Sequence, residues 1–125
     1  LRELKERLRP GGRLVIEVPH ARDVLISLYE CQAFRDFTFW SEHLVLHTRD
    51  SLRRTLEHAG FREVEVVAHQ RYPLSNHLFW LARGEPGGQE RWPALSLVGS
   101  GGDDAYQAAL ARLDRTDTLL AFAVA

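Results

Sequence analysis

The sequence predicts an α/β fold, and three observations carry that expectation. Leu14-Val15-Ile16-Glu17-Val18 is a short, nearly continuous apolar run of mostly β-branched residues, which fits a strand buried on both faces. Val64, Val66 and Val67 form a second such stretch, and between the two runs Leu52, Leu56 and Ala59 recur at helical spacing. A strand, a helix and a second strand in that order read as a crossover connection, the link between parallel strands.

Taken in order, Leu1, Leu4 and Leu8 recur at helical spacing with charges between them. Pro10-Gly11-Gly12 stops that helix, because proline disfavours helical geometry in the residue before it and glycine supplies the turn. The first strand follows and ends at Pro19. From Arg22 to Phe34 a weaker helical pattern runs through Val24, Leu25, Leu28 and Tyr29. An aromatic patch of Phe34, Phe37, Phe39 and Trp40 is expected as a loop or lid packed on the core. Ser41 to His47 suggests an extended stretch, Thr48 is placed to cap the next helix, and Gly60 stands where a left-handed C-terminal cap belongs. Beyond Gln70 the pattern loosens. Tyr72 to Asn76 is expected to bend, His77 to Ala82 is apolar, and Gly84 to Gly88 reads as a turn-rich hairpin or loop. Asp103 or Asp104 is expected to cap a helix presenting Tyr106, Ala109, Leu110 and Leu113, and Thr118 to Ala125 forms a final strand. There is no internal repeat or low-complexity tract.

The 125 residues fit one small domain, and 45% hydrophobic with 26% charged residues is the balance of a globular chain rather than a disordered one. Sixteen basic and seventeen acidic residues give a net charge of -1, so no whole-molecule field attracts phosphate backbones or anionic lipid, and nucleic acid is not expected as a partner. The single Cys31 excludes an internal disulfide framework and suits a reducing, cytoplasmic compartment. The longest apolar run, Leu119 to Ala125, is too short to span a bilayer, so no membrane is expected as a partner. The chain has no methionine and opens inside a helical pattern, so a piece of a longer protein is expected.

Leu8-Arg9-Pro10-Gly11-Gly12, leading straight into Arg13-Leu14-Val15-Ile16, resembles the "leucine, any residue, proline, glycine, glycine" stretch before the fifth strand of class I S-adenosylmethionine-dependent methyltransferases. Ser51-Leu52 through Ala59-Gly60-Phe61 is similar to the helix and entry to the sixth strand of that family. Glu42-His43-Leu44 with Thr48 and Ser51-Leu52 is similar to a "glutamate, histidine, hydrophobic, then capped helix" segment of many such enzymes. Gln70 to Leu78, with Trp80-Leu81 and Pro86-Gly87-Gly88, looks like a subgroup associated with sugar or polysaccharide pathways.

The resemblance covers nearly the whole chain and implies a partial Rossmann-like methyltransferase fold. Residues 1–125 would be the C-terminal part of the domain, carrying strands five to seven in the order 5-7-6. Thr118 to Val124 would be the seventh strand, antiparallel between the other two, with 70–117 a family-specific insertion before it. The implied function is methyl transfer to O or N of a small molecule or sugar. In the family the cofactor is held by a glycine-rich turn after the first strand and an acidic residue ending the second, and this sequence contains neither. The resemblance therefore implies S-adenosylmethionine as cofactor of a full-length protein, no cofactor-binding residue in this chain, and a chain inactive alone. It also leaves the fifth strand as an unpaired apolar edge, a route to a homodimer.

Methyl transfer needs a lone-pair acceptor aligned with the donor and sheltered from water, and a general base helps a hydroxyl acceptor. His43 is the candidate base, since imidazole accepts protons near neutrality and the resemblance puts its segment beside the acceptor pocket. His20 stands just past the first strand, where open α/β sheets place ligands. Arg71, Tyr72, Asn76 and His77 form a polar cluster suited to a sugar or anionic acceptor, with Trp40 or Trp80 offering a flat apolar face. The plainer use of each stands beside it: a histidine donating a structural hydrogen bond, aromatics filling the core, Arg71 solvated. His43 and His47 share helical spacing, but Leu44-Val45-Leu46 between them favours an extended segment and no third ligand lies nearby, so no metal is expected. Val98 to Asp103 has the look of a phosphate-cradling turn, yet Pro93 breaks the segment before it and Asp117, at the spacing of the expected acid, starts a strand; a surface loop is expected. Two rivals follow, a non-catalytic binding or assembly module that keeps this half-fold, and a nucleotide-binding domain built on Gly99 to Gly102.

Overall fold

The computed structural model describes residues 1–40, 43–93 and 101–125. A first helix, α1 (Arg2–Glu6), is shorter than the leucine spacing suggests, although Leu8 beyond it still packs against the core. Strand β1 (Arg13–Pro19) follows the Pro-Gly-Gly turn. The weak helical pattern over 22–34 resolves into two helices, α2 (Val24–Ser27) and α3 (Gln32–Thr38). Between them Glu30 adopts a left-handed φ of 49°, which no helix accommodates. Phe34 and Phe37 of the aromatic patch therefore lie on a helix rather than in a loop, while Phe39 and Trp40 are exposed.

Helix α4 (Arg49–His58) begins with a reciprocal capping box: the Ser51 N–H donates to Thr48 Oγ1 at 3.2 Å and the Thr48 N–H donates to Ser51 Oγ at 2.9 Å. Gly60, at φ 90°, makes the left-handed turn into β2 (Arg62–His69). The segment expected to bend at Tyr72 to Asn76 turns only as far as Pro73. Leu74 starts α5 (Leu74–Arg83), and Pro73 suits the position before it because a helix start needs no N–H there. The turn expected at Gly84 to Gly88 runs only to Gly87, where a short α6 (Gly88–Arg91) begins, and α7 (Gly102–Leu113) is the helix expected to carry Tyr106 to Leu113. The residue before α7 is Gly101, so Asp103 and Asp104 sit in its first turn instead of capping it, a position where their charge favours the helix dipole. Strand β3 (Thr118–Val124) completes the fold.

The three strands form one sheet in the order β1-β3-β2, with β3 antiparallel to both neighbours, so β1 and β2 run parallel to each other. The register aligns Leu14, Ile16 and Val18 with Ala123, Ala121 and Leu119, and Val66 with Ala121. These residues share one face. Against it pack Leu52 and Leu56 of α4 together with Phe61. A second cluster of Val24, Leu25, Trp80 and Leu110 joins α2, α5 and α7.

β1 differs from the expectation of burial on both faces. Its exposure alternates along the strand, and Val15, paired with Phe122, is 60% exposed. The cause is one-sided coverage: its inward residues pack in the α4 cluster, while Val15 and Glu17 lie on the uncovered side.

Candidate functional site

In the parallel pair β1 and β2 the C-terminal ends lie at one edge of the sheet, where Pro19 and His69 both register with Thr118. A cavity of about 570 Å³ opens there. Its walls come from the strand ends, from α2 and α3, and from α5 and α6.

Asp117 anchors the floor. It is buried, and its carboxylate accepts the Arg71 N–H (2.9 Å), the Tyr72 N–H (2.9 Å) and a Gln70 Nε2 hydrogen (2.7 Å). The Asp117 N–H in turn donates to Gln70 Oε1 at 3.1 Å. Burial pushes its pKa up, and the Arg71 and Tyr72 amides push it back. This carboxylate bends the chain after β2 and sets Arg71 and Tyr72 against the cavity.

His77 lies behind that bend, with Nδ1 2.6 Å from Tyr106 Oη and Nε2 3.3 Å from Gln70 Nε2. Gln70 spends its two amide hydrogens on Tyr72 O and Asp117. The tautomer that fits has His77 Nδ1–H donating to Tyr106 and the Nε2 lone pair facing the Gln70 amide. Burial alone lowers the His77 pKa to about 4, so the ring is neutral at physiological pH.

Asn76, 3% exposed, commits Oδ1 to the N–H groups of Gly87 (3.0 Å) and Gly88 (3.4 Å). The Pro86-Gly87-Gly88 motif thereby acquires a role. Gly87 takes a left-handed φ of 98°, and a Cβ on Gly88 would stand 2.2 Å from Ser75 O, so α6 approaches α5 as only glycine permits.

Asp23, 2% exposed, caps α2 by accepting the Leu25 N–H at Oδ1 (2.7 Å), which leaves Oδ2 without a hydrogen bond among the described residues. Desolvation raises its pKa to about 7, against the pull of that N–H and with a contribution from the negative Asp117. His43 lies 3.1 Å through Nδ1 from Thr38 O; in the neutral ring Nδ1–H donates there, and Nε2 is an acceptor. His20 is fully buried and donates from Nδ1 to Thr116 O at 3.1 Å, with Nε2 3.8 Å from Asp114 Oδ1. Desolvation outweighs the nearby Asp114 carboxylate and lowers the His20 pKa. Asp114 itself pairs with Arg22 (3.0 Å) and Arg49 (2.6 Å), tying the exit of β1 to α4 and the end of α7.

The cavity thus brings together His20, His43, Arg71, Tyr72, Asn76 and His77. Trp40 is not among its lining residues; half-exposed, it stands edge-on to the His43 ring, centroids 6.4 Å apart. Trp80 is buried under Phe34 and Phe37, and the flat apolar surfaces in the cavity come from those phenylalanines and Tyr72 instead. Arg71 is occupied by Glu17 at 3.0 Å.

Sequence reasoning missed Asp23, Gln70, Tyr106 and Asp117. Asp23 was open to detection, as an aspartate two residues before the apolar Leu25-Ile26 is a capping signal. The other three are bound by contacts across 7 to 47 residues of chain, which leave no local mark.

Among the described residues no three metal-ligating side chains converge, and no helix is long and apolar enough to cross a membrane. The glycine turn at Val98 to Ser100 and the Glu42 that precedes His43 lie outside the described residues. Compared with protein-family models, curated proteins and solved structures, the chain finds no match.

Proposed function

We propose that this chain is the C-terminal, acceptor-side part of a class I S-adenosylmethionine-dependent methyltransferase domain, acting on O or N of a small molecule or sugar. The observation that carries the reading is the sheet: β1 and β2 parallel with β3 antiparallel between them, each parallel strand entered through the motif that the family uses there. A cavity at the C-terminal ends of the parallel strands suits a ligand site in an open α/β sheet. The exposed Val15 and Phe122 on the uncovered face, and the outer edge of β1, suit a further layer of the same domain.

The residues present do not fit a cofactor cradle. The turns leaving β1 and β2, Pro19-His20-Ala21 and Gln70-Arg71-Tyr72, contain no glycine, and Asp117 spends its carboxylate on Gln70, Arg71 and Tyr72. What this chain supplies is a walled acceptor pocket with His43 Nε2 as the proton acceptor.

Calorimetric titration of S-adenosylmethionine into this chain should give no heat. A polypeptide starting about one domain's length earlier, roughly 100 residues, should bind it stoichiometrically. Tight binding by the chain alone, or preceding sequence without a strand, a glycine-rich turn and an acidic residue about 20 positions on, overturns the reading. The outer edge of β1, which pairs with no strand among the described residues, favours the second reading, a non-catalytic assembly module that forms a homodimer. Sedimentation analysis showing a dimer that Val15→Lys dissociates would support it.

A further inference from the structure

We propose that the cavity takes a small molecule through a protonated amine, with the Asp23 carboxylate as counter-charge. The inference rests on the reading above only in calling that molecule the acceptor.

Four carboxylates and two guanidinium groups line the cavity: Glu17, Asp23, Glu90 and Asp117 against Arg71 and Arg91. Each arginine already has a carboxylate partner, Arg71 with Glu17 at 3.0 Å and Arg91 with Glu85 at 2.7 Å. Asp117 already accepts three N–H donors. Asp23 is the exception. It is almost wholly buried, it lines the cavity, and one of its oxygens has no hydrogen bond among the described residues. Gln89 Oε1 is likewise buried without a partner among the described residues, and His43, held through Nδ1 by Thr38 O, has Nε2 as a further acceptor when the ring is neutral. The unsatisfied groups are thus mostly acceptors beside an excess of negative charge, and the ligand that satisfies them is a cation with several N–H donors. An ammonium has that chemistry; a carboxylate or phosphate has the reverse. Ile26, Phe34 and Phe37 supply the apolar walls for its carbon skeleton. The Asn76 amide, whose oxygen is held by Gly87 and Gly88, offers Nδ2 hydrogens to an oxygen elsewhere on the ligand.

An ammonium beside Asp23 also stabilises the ionised carboxylate that burial disfavours, so binding should draw the proton off this group.

The test is titration of the full chain with cyclohexylamine, cyclohexanol and cyclohexanecarboxylate, followed by amide NMR. At pH 8 the amine should bind at least about tenfold tighter than the alcohol, the scale of a charge-assisted bond. Shifts should centre on Asp23, Leu25 and Asn76, and binding should weaken at pH 5.5, where Asp23 keeps its proton. Asp23→Asn preserves the cap to Leu25 and should abolish the preference for the amine, whereas Glu57→Gln, an exposed charge on α4 outside the cavity, should change it less than about twofold. Equal binding of alcohol and amine, tighter binding of the carboxylate, an undiminished preference in Asp23→Asn, or no binding of any probe overturns the proposal. These outcomes are separate from the cofactor titration. Amine binding without an upstream cofactor half leaves a non-catalytic amine-binding module, and its failure leaves methyl transfer to an uncharged hydroxyl standing.

Discussion

On the inward face of the sheet, Leu119, Ala121 and Ala123 meet Leu14, Ile16 and Val18, apolar against apolar at every second position. In helices α5, α6 and α7 the rule changes. Three consecutive buried residues of α5, Ser75, Asn76 and His77, are polar, and Asn76 and His77 are held by single bonds to Gly87, Gly88 and Tyr106. The sheet rests on repeated, interchangeable hydrophobic contacts, whereas the helical segment rests on particular donor and acceptor pairs. Loss from the first is a matter of area and cavity; loss from the second leaves an orphaned polar group in a low-dielectric interior.

The comparison breaks most decisively at Leu119, fully buried in the central strand. Leu119→Ala should cost about 2–5 kcal/mol, read as a lower denaturation midpoint with near-random amide shifts throughout. A variant that loses only the α5 to α7 resonances would show that the sheet does not support the helices. Asp117→Asn comes next, at about 1–3 kcal/mol, because one acceptor oxygen and an amide replace the carboxylate that receives three N–H groups. Hydrogen exchange should quicken at Arg71 and Tyr72 while β1 stays protected; uniform quickening would mean that the bend and the sheet open together. Removing the α4 cap with Thr48→Ala should cost only about 1 kcal/mol. A loss matching that of Asp117→Asn would erase the distinction between the regions.

The pH dependence is the most specific effect, since the two groups concerned act in opposite directions. Asp23, raised from 3.8 to about 7, stays protonated in the fold while the unfolded chain ionises, so its stabilisation is complete below pH 3.8 and is lost as pH rises to 7. His77, lowered from 6.5 to about 4, works the other way: the unfolded chain takes up a proton first, so stability falls as pH drops from 6.5 to 4. The two slopes oppose each other over that window. Asp23→Asn should expose a decline toward acid, and His77→Gln a decline toward neutrality. Parallel curves for both variants would show that neither group is held out of its ordinary ionisation.

The same contrast explains what the sequence could reveal. Strand β3 and helix α4 are written in local periodicity, and Thr48 and Gly60 mark the ends of α4 by chemistry confined to a few residues. Helix α5 is obscured because its buried side is polar, so Tyr72 to Asn76 reads as a bend although Leu74 onward is helical. At the site, His43, His20 and the Arg71 to His77 cluster were visible as residue types near strand ends. Asp117 was visible only as the acid before a strand, since its partners Gln70 to Tyr72 lie 45 to 47 positions away. Trp40 and Trp80 misled because large aromatics mark core and pocket alike.

The middle strand of the sheet is the last of the three to leave the ribosome. Arg13 and Arg62 both register with Val124, so neither outer strand can pair with β3 until synthesis has passed residues 70–117. Such distant pairings make for slow folding. Until β3 arrives, β1 and β2 are two waiting apolar ribbons, and any chaperone requirement in the cell should concentrate in that interval.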